Sequence, residues 1–105
     1  MKMGAVLVTA LACLPVAACA LTRDEFIIYD PEGRLESAEI DLCGRSLQMV
    51  RSGTVLKKRF PINCEGSGAI LVRVTDGQET TCLIGYVTPR AGQVFEFSVA
   101  DGICR

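Results

Sequence analysis

The chain has 105 residues, with 11 Lys and Arg against 12 Asp and Glu, six cysteines and no histidine. The near-neutral balance leaves no basic footprint for nucleic acid. The missing imidazole removes the base that Ser-His and Cys-His nucleophilic chemistry needs.

Lys2 is the only cation before Ala20, and an almost unbroken apolar run extends from Gly4 to Leu21. These are the n-region and h-region of an export signal. A transmembrane anchor is the rival reading. The run is barely long enough to span, is broken by Pro15 and ends in small residues. Val16-Ala17-Ala18-Cys19 resembles the lipobox of bacterial lipoproteins, in which a small or aliphatic tripeptide precedes an obligatory Cys. The resemblance covers the signal only. It implies that Cys19 is lipidated on sulfur, becomes the first residue after cleavage and ties the protein to the membrane. A thiolate is the nucleophile suited to take up a lipid. Ala20 stands where Asp would favour inner-membrane retention, which implies an outer-membrane lipoprotein facing the periplasm. Ala18-Cys19-Ala20 also fits an ordinary small-x-small cleavage site, which would release a soluble protein from Leu21. The expected layout is an export signal over residues 1–19, a polar tether over 20–25 and a single β-domain over 26–105.

Phe26-Ile27-Ile28-Tyr29 reads as a strand closed by an Asp30-Pro31-Glu32-Gly33 turn, with Asp first and Pro second. Ala38, Ile40 and Leu42 alternate with Glu39 and Asp41 in a half-buried strand. A helix over 31–42 is the competing reading, since Glu and Ala favour it. Arg45–Arg51 and Thr54–Phe60 flank Ser52-Gly53 as a second, less regular hairpin. Lys57-Lys58-Arg59 places it near a sheet edge, where cations discourage strand addition. Pro61 ends the strand, and Glu65-Gly66-Ser67-Gly68 is a flexible connection.

Gly68–Thr75 and Glu79–Val87 read as a hairpin across Asp76-Gly77, with both turn residues at positive φ. Ile70, Val72 and Val74 share one face. Cys82, Ile84 and Tyr86 share a face of the return strand, with Leu83 and Val87 opposite. Apolar residues on both faces suggest a central strand. After the Thr88–Gly92 loop, Phe95, Phe97 and Val99 alternate with Glu96 and Ser98. Asp101-Gly102 then turns the chain towards Cys104. The expectation is an all-β fold of about seven short strands: a small, disulfide-stapled, antiparallel β-sandwich of Ig-like type, or a small barrel.

Cys13 lies inside the signal, so Cys43, Cys64, Cys82 and Cys104 remain beside Cys19. Four well-spread cysteines in an exported domain read as two disulfides. Zinc wants close Cys pairs, which are absent, so no metal and no cofactor is expected. If Ser52-Gly53 is a two-residue turn, Cys43 falls opposite Ile62, close to Cys64. If Asp76-Gly77 is another, Cys82 faces Leu71, far from Cys64. The expected bridges are Cys43–Cys64 and Cys82–Cys104. The crossed sets, Cys43–Cys82 with Cys64–Cys104 and Cys43–Cys104 with Cys64–Cys82, stay open.

Asp24, Glu25, Asp30, Glu32, Glu36, Glu39 and Asp41 read as a solvated acidic face, without calcium-loop spacing. Tyr86 and Phe97 read as core. The functional expectation is a non-catalytic envelope lipoprotein whose β-domain binds a protein or envelope partner. The alternative is an inhibitor of an envelope-degrading hydrolase. Small periplasmic lysozyme inhibitors are similar in architecture, but their Ser-Gly-x-x-Tyr signature is not matched by Arg51-Ser52-Gly53-Thr54-Val55-Leu56.

Overall fold

The computed structural model describes residues 23–105, so the expected export signal, the lipobox-like stretch and Cys19 lie outside the described residues. Its strands are β1 Asp24–Tyr29, β2 Leu35–Leu42, β3 Arg45–Gln48, β4 Val50–Ser52, β5 Val55–Phe60, β6 Gly66–Val74, β7 Glu79–Val87, β8 Val94–Ala100 and β9 Ile103–Cys104. They form two sheets, ordered β4-β5-β1-β8-β9 and β3-β2-β6-β7. This is a small sandwich rather than a barrel, and residues 35–42 are strand rather than helix.

Period-two side chains build the core from both sheets. Phe26, Ile28, Leu56 and Phe60 come from the five-stranded sheet. Ala38, Ile40, Leu42, Ile70, Val72, Val74, Cys82 and Ile84 come from the other. Phe95, Phe97 and Val99 are half-buried against them, so the alternation along β8 and the core role of Phe97 are borne out.

The sandwich is not wholly antiparallel. β1 lies between β5 and β8 and runs parallel to β8, Phe26 facing Phe95 and Ile28 facing Phe97. A parallel pair needs a crossover between its strands, and here β2 to β7 supply it. The first strand also begins earlier than the expected domain boundary at Phe26. Asp24 and Glu25 belong to β1, with Asp24 facing Phe60.

The expected hairpin around Ser52-Gly53 divides between the sheets. Arg45–Gln48 pairs with β2 through a two-residue turn at Cys43-Gly44, whose φ values are 58° and 70°. That is the double-positive pattern of a type I′ turn. Met49 is the switch point: its N–H donates to the Ala38 carbonyl at 2.9 Å, and Val50 then pairs with Lys57 in the other sheet. The β4–β5 turn is Gly53-Thr54, with Ser52 opposite Val55. β5 is therefore an inner strand at Val55–Lys57, but no described strand covers Lys58–Phe60 on that side. The cations do guard an edge. Lys58 faces Phe26 and so lies on the inner face, the placement that most discourages an added strand.

The Asp76-Gly77 turn is one residue longer than expected. The Gly77 N–H returns to the Val74 carbonyl at 2.9 Å, the Val74 N–H reaches the Gln78 carbonyl at 2.8 Å, and φ is positive at Gly77 alone. This three-residue loop moves Cys82 opposite Ile70, not Leu71. Gly66–Gly68 is the start of β6 rather than a flexible connection. A Cβ on Gly68 would sit 2.6 Å from Leu42 Cδ1 and 2.8 Å from the Asp41 carbonyl, so the bare backbone permits that strand contact.

Candidate functional site

The cysteines pair as Cys43–Cys64 and Cys82–Cys104, with Cα separations of 5.7 and 5.3 Å. The first staples the β2–β3 turn to the segment before β6. The second joins β7 of one sheet to β9 of the other, closing that side of the sandwich. The opposite side is closed by the strand switch at Met49.

The acidic residues do not form one face. Asp24 and Asp30 are buried, and the others are scattered over β1 (Glu25), the β1–β2 turn (Glu32) and β2 (Glu36, Glu39 and Asp41). Asp24 Oδ2 accepts the Gln93 N–H at 3.1 Å. Among the described residues, no three His, Cys, Asp or Glu side chains come together as metal ligands.

Asp30 holds the two sheets together at the β1–β2 turn. Its carbonyl accepts the Gly33 N–H at 3.1 Å, closing the expected turn. Its carboxylate accepts the backbone N–H groups of Arg34 at 2.9 Å and Leu35 at 3.1 Å. Arg51, on β4, donates through Nη2 to this carboxylate at 2.7 Å and to the Leu35 carbonyl at 2.6 Å. Burial alone would raise the Asp30 pKa. The Arg51 guanidinium and the two backbone donors outweigh it and hold the carboxyl below its ordinary value.

A depressed folded pKa contributes stability above the unfolded-state value of about 3.9, and that contribution is lost as pH falls through the lower folded value. Urea unfolding from about pH 6 to about pH 2 should therefore show an acid-limb loss that Asp30→Asn reduces. The same slope in both proteins would mean that other carboxylates set the acid limit.

The outer face of the four-stranded sheet carries the feature that the sequence reading placed elsewhere. β7 is an edge strand, not a central one. Its outward Leu83 is 77% exposed, and outward Leu71 on β6 is 48% exposed. Leu83 faces Ala69 and Leu71 faces Thr81, so the two leucines are diagonal neighbours on one surface. Apolar residues on both faces of β7 thus mark a core on one side and an uncovered surface on the other.

The phase of β7 then changes at a bulge. Gly85 faces Gly68 and Leu83 faces Ala69, so Ile84 is the extra residue between them, and Gly85 has φ 83°. A positive φ of this kind is open to glycine and lets the strand take up its extra residue. Tyr86 consequently turns outward, 65% exposed, while Val87 turns into the core. The Tyr86 hydroxyl donates to Glu65 Oε1 at 3.2 Å, extending the outward stripe across the start of β6. Tyr86 is therefore a surface residue, against the expectation of core. The signal that could have revealed this is the Gly in the middle of an otherwise regular strand.

No protein-family model matches this chain, and no curated protein sequence matches it. Among solved structures, it is similar to a Bacteroides fragilis protein described as a candidate cell adhesion protein, with 15% sequence identity and a TM-score of 0.45. The match covers 81% of this chain and 44% of that one.

Proposed function

We propose that this chain is a non-catalytic protein of the bacterial cell envelope, held on the outer membrane by lipid on Cys19, whose β-sandwich faces the periplasm and binds a protein partner. The observation that carries this reading is the pair of disulfides stapling so small a sandwich. Such bridges persist in oxidising compartments outside the cytoplasm. The exposed leucines of β6 and β7 support a protein contact, because a rimmed apolar patch on a sheet face is a common recognition surface. The absence of histidine supports a binding role over nucleophilic catalysis.

Intact mass of the membrane-extracted protein tests the anchor. The expected species begins at an acylated Cys19, and Cys19→Ala should be released or left unprocessed. An unmodified mature form beginning at Leu21 would replace the lipoprotein reading with a soluble secreted one.

A further inference from the structure

The two sheets end in four edge strands, β4 and β9 in one and β3 and β7 in the other. Three of them have four, three and two residues, in β3, β4 and β9. The part of β5 beyond β4 carries the cations described above. Short length and charge both discourage strand addition. β7 differs in having nine residues. Before its bulge it carries one charge, Glu79, which Arg73 of the same sheet engages at 2.6 Å.

The ladder shows which backbone groups this edge presents. The Val74 N–H donates to the Gln78 carbonyl. Alternation then makes Val72–Thr80 and Ile70–Cys82 the hydrogen-bonded pairs. The N–H and C=O groups of Glu79, Thr81 and Leu83 therefore point away from β6, and no described strand pairs with that side.

We infer that β7 is a self-pairing edge: two copies of this chain join antiparallel about a two-fold axis at Thr81, extending the four-stranded sheet across both sandwiches. The inference deepens the reading of this sheet as a protein-binding element and rests on it. Register selects the occupant. With the axis at Thr81, each Thr81 faces its counterpart, and each Glu79 faces Leu83 of the second copy. All three outward residues then find backbone partners, and Leu83 gains Glu79 of the second copy as a cross-strand neighbour. Moving the axis to Glu79 would oppose two carboxylates. Moving it to Leu83 would run Thr81 against Gly85, where the bulge breaks the edge. An axis at Thr80 would set Leu83 against Gly77 in the loop, and one at Cys82 would set Glu79 against Gly85 at the bulge, so the Thr81 axis is the register that pairs all three outward residues. Two such short edges bury less than a standard interface, so the pair is weak in dilute solution and gains from confinement on a membrane.

The test is cross-linking in the full chain, expressed with its leader and extracted without reductant. Thr81→Cys should shift to twice the monomer mass on a non-reducing gel. Thr75→Cys, in the β6–β7 loop outside the paired segment, should stay monomeric. A second arm keeps the register testable if the extra thiol at Thr81 disturbs the native bridges. Glu79→Cys and Leu83→Cys chains expressed together should cross-link, and neither should do so alone. Equal cross-linking from Thr81→Cys and Thr75→Cys, or cross-links at Thr81→Cys only to proteins of other masses, would overturn the self-pairing. The latter result would leave the envelope-binding reading standing, and the mass of Cys19 is read separately from the same extract.

Discussion

Phe26→Ala should lower the unfolding free energy by about 3–5 kcal/mol, which approaches the whole stability of a domain this small. Phe26 is fully buried at the centre of the five-stranded sheet. Its ring stacks on Phe60 of β5 at 5.4 Å and on Phe95 of β8 at 4.8 Å. It therefore joins the antiparallel and the parallel neighbour of β1 in one stack. Truncation removes the buried area and both ring contacts, each worth about 0.5–1.5 kcal/mol beyond burial. The hole cannot close easily, because Phe60 and Phe95 are each fixed to their own strand on opposite sides of it. Phe97→Ala, at a half-buried position, should cost distinctly less. Urea titration checks both: the midpoint should fall with an unchanged denaturant slope. A loss below about 1 kcal/mol for Phe26→Ala would show that the sheet relaxes into the gap.

What the sequence made legible was local. The alternation of Phe95, Phe97 and Val99 needs only the strand period, and the Asp30-Pro31-Glu32-Gly33 turn needs only its own four residues. Strand order was not legible, because the parallel contact between β1 and β8 joins residues nearly seventy positions apart, as in Ile28 facing Phe97. The cysteine pairing shows the limit most clearly. Both expected bridges are present, yet the hairpin used to derive Cys43–Cys64 divides between the two sheets before it reaches Cys43. Cys43 sits in a turn at φ 58° that its residue type does not advertise. The β2–β6 ladder, with Asp41 opposite Ala69, brings the two cysteines together instead. β7 was misplaced for a related reason. A strand buried on both faces and an edge strand with an apolar outer surface have the same composition, and only the neighbours distinguish them. Asp30 looked like one of several solvated acids because its main partner, Arg51, lies on another strand.

Replacing Cys82 and Cys104 together by alanine should cost more than replacing Cys43 and Cys64. The two bridges close loops of nearly equal length, with sequence separations of 22 and 21 residues. In the chain-entropy model each should contribute about 3 kcal/mol, with almost no difference between them. The difference comes from the folded side. Cys82 is a fully buried core residue, so its truncation also leaves a small void beneath β7. Cys104 belongs to a two-residue strand that has little else to hold it than its ladder to β8. Losing that bridge should fray β9 and unlock the closed side of the sandwich. Cys43 is half-buried and holds a positive φ that a non-glycine residue adopts at a cost. Removing its bridge loses the constraint on the unfolded chain without opening the core, and Cys43→Gly in place of alanine should recover part of the loss by relieving the turn. Urea unfolding of the two double variants, with hydrogen exchange at Ile103 and Cys104 or its replacement, measures both effects. Equal losses with β9 still protected would mean that the bridges act only on the unfolded chain and that the β8–β9 ladder closes the sandwich unaided.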